Sequence, residues 1–193
     1  MVYDKMNDTI RNNKAFGENS IELLPAYFVL AEANICMGGA RLKKAEEFLI
    51  AAYWNLLKFT SEDNDKGAVP EDALVTKEEL ETYKASLHKT FGRLFLAQNR
   101  PGAIKQALDE LTQGIYLECI EHGPESIYLC SSYYYMGELF KKEGSVQKAR
   151  NFYQKIIHIW KMFIIEKDFN EMEDFHYSTI EDIYYEEAHE HLK

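Results

Sequence analysis

The sequence predicts an all-α protein built from stacked pairs of helices. Apolar residues recur at helical spacing in every long segment, and no run of alternating residues indicates a β-strand. The 193 residues include only four prolines and ten glycines, most of which fall between the periodic segments. With 46% apolar residues, the chain can bury a sizeable core.

The breaking residues define the order of the helices. Pro25 suits the first turn of a helix that runs to about Met37, where two glycines follow. Further helices are expected at about 42–59, 76–98, 103–121, 126–143 and 146–167. Residues 1–20 are expected to form a polar arm, and the acidic segment 61–72 a long loop. Solvation explains the acidity of this loop, and a contact with a basic partner is the alternative.

The paired segments share a spacing that is typical of tetratricopeptide repeats (TPR). Residues 131–156, SSYYYMGELFKKEGSVQKARNFYQKI, carry it in full, with small residues at Gly137 and Ala149. We expect Ala149 to lie against Gly137 at the closest helix crossing. The two earlier pairs match less fully, and the 45-residue step from Gly92 to Gly137 exceeds the standard repeat of about 34.

The predicted architecture is therefore a TPR-like, right-handed α-solenoid over residues 21–193, with about three helical pairs and a terminal helix. The terminal stretch at 171–193 is amphipathic and has no second helix to follow it. Because a repeat buries its apolar face against its neighbours, we expect this end to dock on another chain. Its apolar stripe consists of Met172, Phe175, Ile180, Ile183 and Leu192.

Charge and cysteine content narrow the class of partner and the compartment. A formal charge of −10 disfavours nucleic acid and favours a basic protein surface. Three widely spaced cysteines without a CxxC motif indicate neither a disulfide framework nor a structural zinc site. The polar start predicts no signal peptide, and Pro25, Glu32 and Asn34 interrupt the most apolar run, so no membrane span is expected. We expect a protein of the reducing cytoplasm.

Catalysis finds little support in the sequence. Cys119 and His122 are three residues apart on a helix, but no third orienting group is evident. His189 and His191 lie among acidic residues, and a spacing of two places them on different faces of a helix. We expect no catalytic residue, no cofactor, no bound metal and no enzymatic activity.

The repeat register predicts a concave groove that binds protein partners. It assigns Tyr133 to the core, Tyr134 to the groove and Tyr135 to the flank. The groove lacks the Lys and Asn arrangement with which chaperone-binding repeats hold a C-terminal carboxylate, which disfavours a co-chaperone. The candidate partner-binding residues, including three from the terminal stripe, are Phe28, Glu32, Lys89, Arg93, Tyr134, Glu138, Lys141, Phe175, Ile180 and Ile183.

Three stretches carry a more specific likeness. They are LLPAYFVLAEANICMGGARLKKAEEFLIAAYWNLLK (23–58), HKTFGRLFLAQN (88–99) and SSYYYMGELFKKEGSVQKARNFYQKIIHIWKMFI (131–164). Over roughly 21–165 the chain resembles the axonemal family of the animal zinc-finger MYND-domain-containing protein twelve. The resemblance implies a non-catalytic scaffold or docking subunit of the ciliary axoneme. Its implied partners are a second axonemal TPR protein, tetratricopeptide-repeat protein twenty-nine, and a single-headed inner-arm dynein at its base on the doublet microtubule.

The chain departs from that family at its start, where no residues could build the MYND zinc finger, and the role of that finger is not carried over. Two other functions stay open. One is a cytosolic TPR adaptor that binds a peptide or helix in its concave groove. The other is a helical domain associated with an enzyme that supplies the catalytic residues.

Overall fold

The computed structural model describes residues 21–62, 75–98 and 100–166, and every regular element in these ranges is helical. The all-α prediction is confirmed for this part of the chain. The predicted N-terminal arm, most of the predicted acidic loop and the terminal stripe lie outside the described residues. The helices are α1 (Leu24–Met37), α2 (Arg41–Glu62), α3 (Lys77–Ala97), α4 (Ala103–His122), α5 (Cys130–Glu143) and α6 (Val146–Glu166).

Local sequence signals set the helix ends. A capping box opens α3: the Glu79 N–H donates to the Thr76 hydroxyl, and the Thr76 N–H donates to the Glu79 carboxylate at 2.8 Å. Gly144 ends α5 at a φ of 87°, a left-handed conformation that glycine adopts without strain. Residues 61 and 62, predicted to open the acidic loop, belong instead to α2, which continues through Glu62.

The fifth helix also begins later than its sequence predicts. Residues 127–129 form a short 3₁₀ turn, and α5 begins only at Cys130 rather than near residue 126. The Ser126 hydroxyl accepts a hydrogen bond from the Tyr128 N–H, so this serine caps the 3₁₀ turn instead of the α-helix.

The helices form three sequential pairs. The most extensive packing joins α3 to α4, α1 to α2, and α5 to α6, while α2 also contacts α3 and α4 contacts α5. The first helices of successive pairs are neighbours as well, since α1 touches α3 and α3 touches α5. This all-helical arrangement is consistent with an α-solenoid. Among the described helices, none is long and apolar enough to cross a membrane.

Small residues bring the helices of each pair close together. Ala31, Ala45 and Ala52 are fully buried between α1 and α2. In the second pair, a Cβ added to Gly114 would lie 3.2 Å from the Lys89 backbone nitrogen on α3, so only glycine fits this crossing without displacement. Gly92, on the opposite helix, lies directly beneath the side chain of Leu111.

In the third pair the neighbour of Gly137 differs from the one expected. The atoms nearest to a Cβ placed on Gly137 belong to the ring of Tyr153, at 2.5 Å, rather than to Ala149. Ala149 is buried one helical turn earlier. Helical side chains lean toward the N-terminus of their helix, so the long ring of Tyr153 covers the surface beside the preceding turn. The small residue on α5 therefore accommodates an aromatic ring.

Replacing Gly137 by alanine tests this contact. Alanine gains about 1 kcal/mol of helix propensity over glycine. We nevertheless expect Gly137→Ala to lower the free energy of unfolding by about 1–2 kcal/mol, because the Tyr153 ring must move. In a Tyr153→Ala background the same change becomes stabilising. Denaturant unfolding of the four proteins measures the coupling, and an equal effect of Gly137→Ala in both backgrounds would contradict the contact.

Candidate protein-binding face

The first helices of the three pairs share a row of interacting side chains, which we call the α1–α3–α5 face. Arg93 of α3 lies at its centre and donates from Nη1 to Oε1 of Glu32 on α1. Its guanidinium carbon also lies 4.7 Å from the ring centroid of Tyr135 on α5. One arginine thus links all three pairs, through an ion pair on one side and a cation–π contact on the other.

Aromatic rings extend this row toward α6. The ring of Tyr134 lies 5.5 Å from that of Tyr135 and 6.2 Å from that of Tyr153. Tyr134 remains 48% exposed, whereas Tyr133 is buried and donates to the Pro124 carbonyl oxygen at 2.9 Å. The consecutive tyrosines therefore occupy different environments, and Tyr134 presents the most ring surface to a partner. Tyr135, which the sequence assigned to the flank, instead lies in the row beside Arg93.

The carboxylate of Glu138, which lies beside Tyr153, is held in its charged form. The Tyr153 hydroxyl donates to Glu138 at 2.7 Å, and Lys141 lies 3.4 Å from the same carboxylate oxygen. The hydrogen bond from Tyr153 is the main cause that lowers the pKa of Glu138 below its usual value. Burial and the same hydrogen bond raise the pKa of Tyr153 to about 12. Glu138 is consequently an anion at neutral pH on this face.

Lys89, predicted for the groove, makes an ion pair inside the helical array. Its Nζ lies 2.9 Å from the carboxylate of Glu118 on α4. Glu118 is only 7% exposed and also accepts a hydrogen bond from the Ser132 hydroxyl on α5 at 2.6 Å. We call these residues the Glu118 cluster. It joins the second and third pairs, so Lys89 has a structural contact in place of a solvent-facing one.

The remaining candidates divide between the core and the undescribed end. Phe28 is half-buried, packs against the core of the first pair and has its ring centroid 6.4 Å from that of Tyr83 on α3. It therefore contributes mainly to packing. The candidates Phe175, Ile180 and Ile183 lie outside the described residues.

Cys119 and His122, the residues weighed as a catalytic pair, each contact a tyrosine. Cys119 Sγ lies 3.9 Å from the hydroxyl of Tyr133, while the ring of His122 packs 4.7 Å from that of Tyr128. The two side chains thus have different tyrosine neighbours. Within residues 21–62, 75–98 and 100–166, no group of three His, Cys, Asp or Glu side chains could hold a metal ion.

The sequence did not single out Glu118, and it placed Tyr153 only in the repeat spacing, not on the face. One sequence feature could have identified Glu118. It is an acidic residue at a helix position where the equivalent residues of the other two pairs, Leu56 and Trp160, are apolar. In a comparison with known proteins, no protein-family model matches the chain.

Removing the Tyr153 hydroxyl tests how the face holds Glu138. A carboxylate with a lowered pKa contributes stability above its unfolded-state pKa, and this contribution is lost as the pH falls through the folded-state pKa. In Tyr153→Phe we expect the pKa of Glu138 to rise toward 4.5 and the free energy of unfolding at neutral pH to fall by about 1 kcal/mol. The stability difference from wild type should shrink in acid.

Two measurements check this expectation. An NMR titration of the Glu138 carboxyl carbon reports its pKa in both proteins, and denaturant unfolding at neutral and acidic pH reports stability. Lys141→Met is the matched comparison, because the Lys141 side chain is 66% exposed and is a smaller influence on Glu138. A Glu138 pKa that is unchanged in Tyr153→Phe would show that the hydrogen bond does not control it.

Proposed function

We propose that this protein is a non-catalytic scaffold that binds other proteins through its α1–α3–α5 face. The observation that carries the proposal is the row in which Arg93 contacts Glu32 on one side and Tyr135 on the other, across three helical pairs. A face whose side chains already hold one another loses less conformational entropy when a partner binds. Tyrosine and arginine are also enriched among the residues that contribute most of the binding energy at protein interfaces. Tyr134 is an exposed tyrosine on the same face as Arg93.

The proposal extends to the type of helical array. Tetratricopeptide organisation is supported by the sequential pairing of helices and by the small residues Gly92 and Gly137 beneath larger side chains. In such arrays the first helices of the pairs line the inner surface, which is the surface that the α1–α3–α5 face would form. The right-handed superhelical twist predicted from the sequence is part of the same proposal.

A second surface supports a role in a hetero-complex. On α2, four large apolar side chains are each at least 40% exposed and lie at helical spacing. Monomeric proteins rarely leave a large contiguous apolar patch in water, so this stripe fits a protein contact. Its residues are Ile50, Tyr53, Trp54 and Leu57.

The resemblance over residues 21–165 suggests the setting. We propose that the protein belongs to the ciliary axoneme, at the base of a single-headed inner-arm dynein on the doublet microtubule, together with a second TPR protein. A chain with a formal charge of −10 suits partners that present basic surfaces, because complementary charge accelerates association and suppresses wrong partners.

The alternative is a cytosolic adaptor whose face binds a peptide or helix outside cilia. The same contacts among Glu32, Arg93 and Tyr135 would serve it equally well. The two functions differ in location and in the partner, so fractionation of ciliated cells separates them.

The function is tested by following the tagged protein through axoneme isolation. We expect it in isolated axonemes, either retained after a salt wash or released with inner-arm dynein. Recovery only from the cell body would contradict the axonemal role and favour the cytosolic adaptor.

Matched variants connect this result to the α1–α3–α5 face. Tyr134→Ala removes an exposed ring and should reduce recovery with axonemes while leaving thermal unfolding nearly unchanged. Tyr116→Ala, on α4, removes a ring that is 61% exposed and should leave both measurements unchanged. Equal recovery of the two variants would show that the partner binds elsewhere.

A further inference from the structure

The outer side of α6 carries an exposed apolar stripe. Ile157, Trp160 and Ile164 are 67%, 46% and 50% exposed, and their spacing places them on one side of the helix. Arg150 and Lys161 are exposed on the same side, seven residues before and four residues after Ile157. We call these five residues the α6 stripe.

In the other two pairs, the position equivalent to Trp160 is covered by the next helix. The fully buried Ala107 and the buried Ala149 occupy equivalent turns of α4 and α6 and are 42 residues apart. The same offset relates Glu118 of α4 to Trp160 of α6. Glu118 is 7% exposed because α5, the next helix along the chain, lies against it.

In the first pair, the equivalent position is also buried by the next helix. The fully buried Ala45 of this pair is equivalent to Ala107, and the matching position on α2 is Leu56. Leu56 is 7% exposed and shares a core cluster with Leu80 of the following helix α3. The position held by Trp160 is therefore buried by the next helix in both earlier pairs. The α6 stripe has the composition and the register to accept a further helix.

The charges on α6 indicate which segment covers the α6 stripe. The helix α6 carries four Lys or Arg side chains and one acidic residue, Glu166. Residues 167–193, which follow directly and lie outside the described residues, contain nine Asp or Glu against two Lys. The same segment supplies apolar residues at near-helical spacing, among them Met172, Phe175, Ile180 and Ile183.

We propose that residues 171–193, which the sequence alone led us to expect on another chain, instead bind the α6 stripe of this same chain, with their apolar residues against Trp160 and their carboxylates near Arg150 and Lys161. A short tether gives such a segment a millimolar effective concentration at the stripe, which a separate partner does not have. The proposal concerns a contact within the chain and does not depend on the scaffold function.

The chain contains its own reporter for this contact. Trp54 and Trp160 are the two tryptophans, so Trp54→Phe leaves Trp160 as the single indole fluorophore. In the full-length Trp54→Phe protein we expect emission at short wavelength and weak quenching by acrylamide, at every protein concentration. High salt should shift the emission toward longer wavelength, since exposed charge pairs are screened.

Paired substitutions in the full chain identify the occupant. In the Trp54→Phe background, Phe175→Ser with Ile183→Ser should shift Trp160 emission to longer wavelength and increase quenching severalfold. Ile157→Ser with Ile164→Ser, on exposed positions of α6, should produce the same shift without unfolding the protein. The matched control Ser178→Ala with Thr179→Ala should leave the emission unchanged.

Two results would overturn the proposal. Emission from a water-exposed Trp160 in the parent protein, insensitive to Phe175→Ser with Ile183→Ser, would mean that this segment does not cover the stripe. A short-wavelength emission that appears only at high protein concentration would instead assign the stripe to a second copy of the chain. Circular dichroism of each variant separates loss of the contact from loss of the fold.

Discussion

The buried carboxylate of Glu118 is the interaction on which the arrangement of the described helices depends. A charge this deeply buried is costly unless it is paired, and its partners lie on both neighbouring helices. Lys89 reaches it from α3 and Ser132 from α5, so the cluster fixes the second pair against the third. One turn further along the same helices, Arg93 and Tyr135 meet. The structural ion pair thereby places the residues of the candidate binding face.

The same contacts give the candidate binding face a fixed arrangement. The charged and aromatic groups of the α1–α3–α5 face bind one another: Arg93 contacts Glu32 and Tyr135, and Tyr153 holds Glu138. Such mutual contacts preserve the positions of charges and rings in the absence of a partner. Under the scaffold function that we propose, a partner would be recognised by the shape and charge of a face that exists before binding.

The sequence predicted the helices well because its breakers are few and well placed. The ends of α1, α3 and α4 lie within one residue of the predicted ends, whereas α5 begins four residues late because a 3₁₀ turn intervenes. Helical periodicity could not show that the long side chain of Lys89 reaches a buried acid, or that the Tyr153 ring covers Gly137. Both depend on the direction of a side chain between helices, which a linear pattern does not contain. Gly114 was missed for the same reason, since its importance lies in the approach of the α3 backbone.

The central claim is that the Glu118 cluster couples the second and third pairs, and the unfolding of Lys89→Met tests it most directly. Removing the ammonium leaves a buried carboxylate without its counter-ion, which we expect to cost roughly 3 kcal/mol. Lys141→Met removes a lysine that is 66% exposed and should change the free energy of unfolding by less than about 0.5 kcal/mol. Urea denaturation of the full chain measures both variants. Indistinguishable unfolding of Lys89→Met and Lys141→Met would contradict the claim.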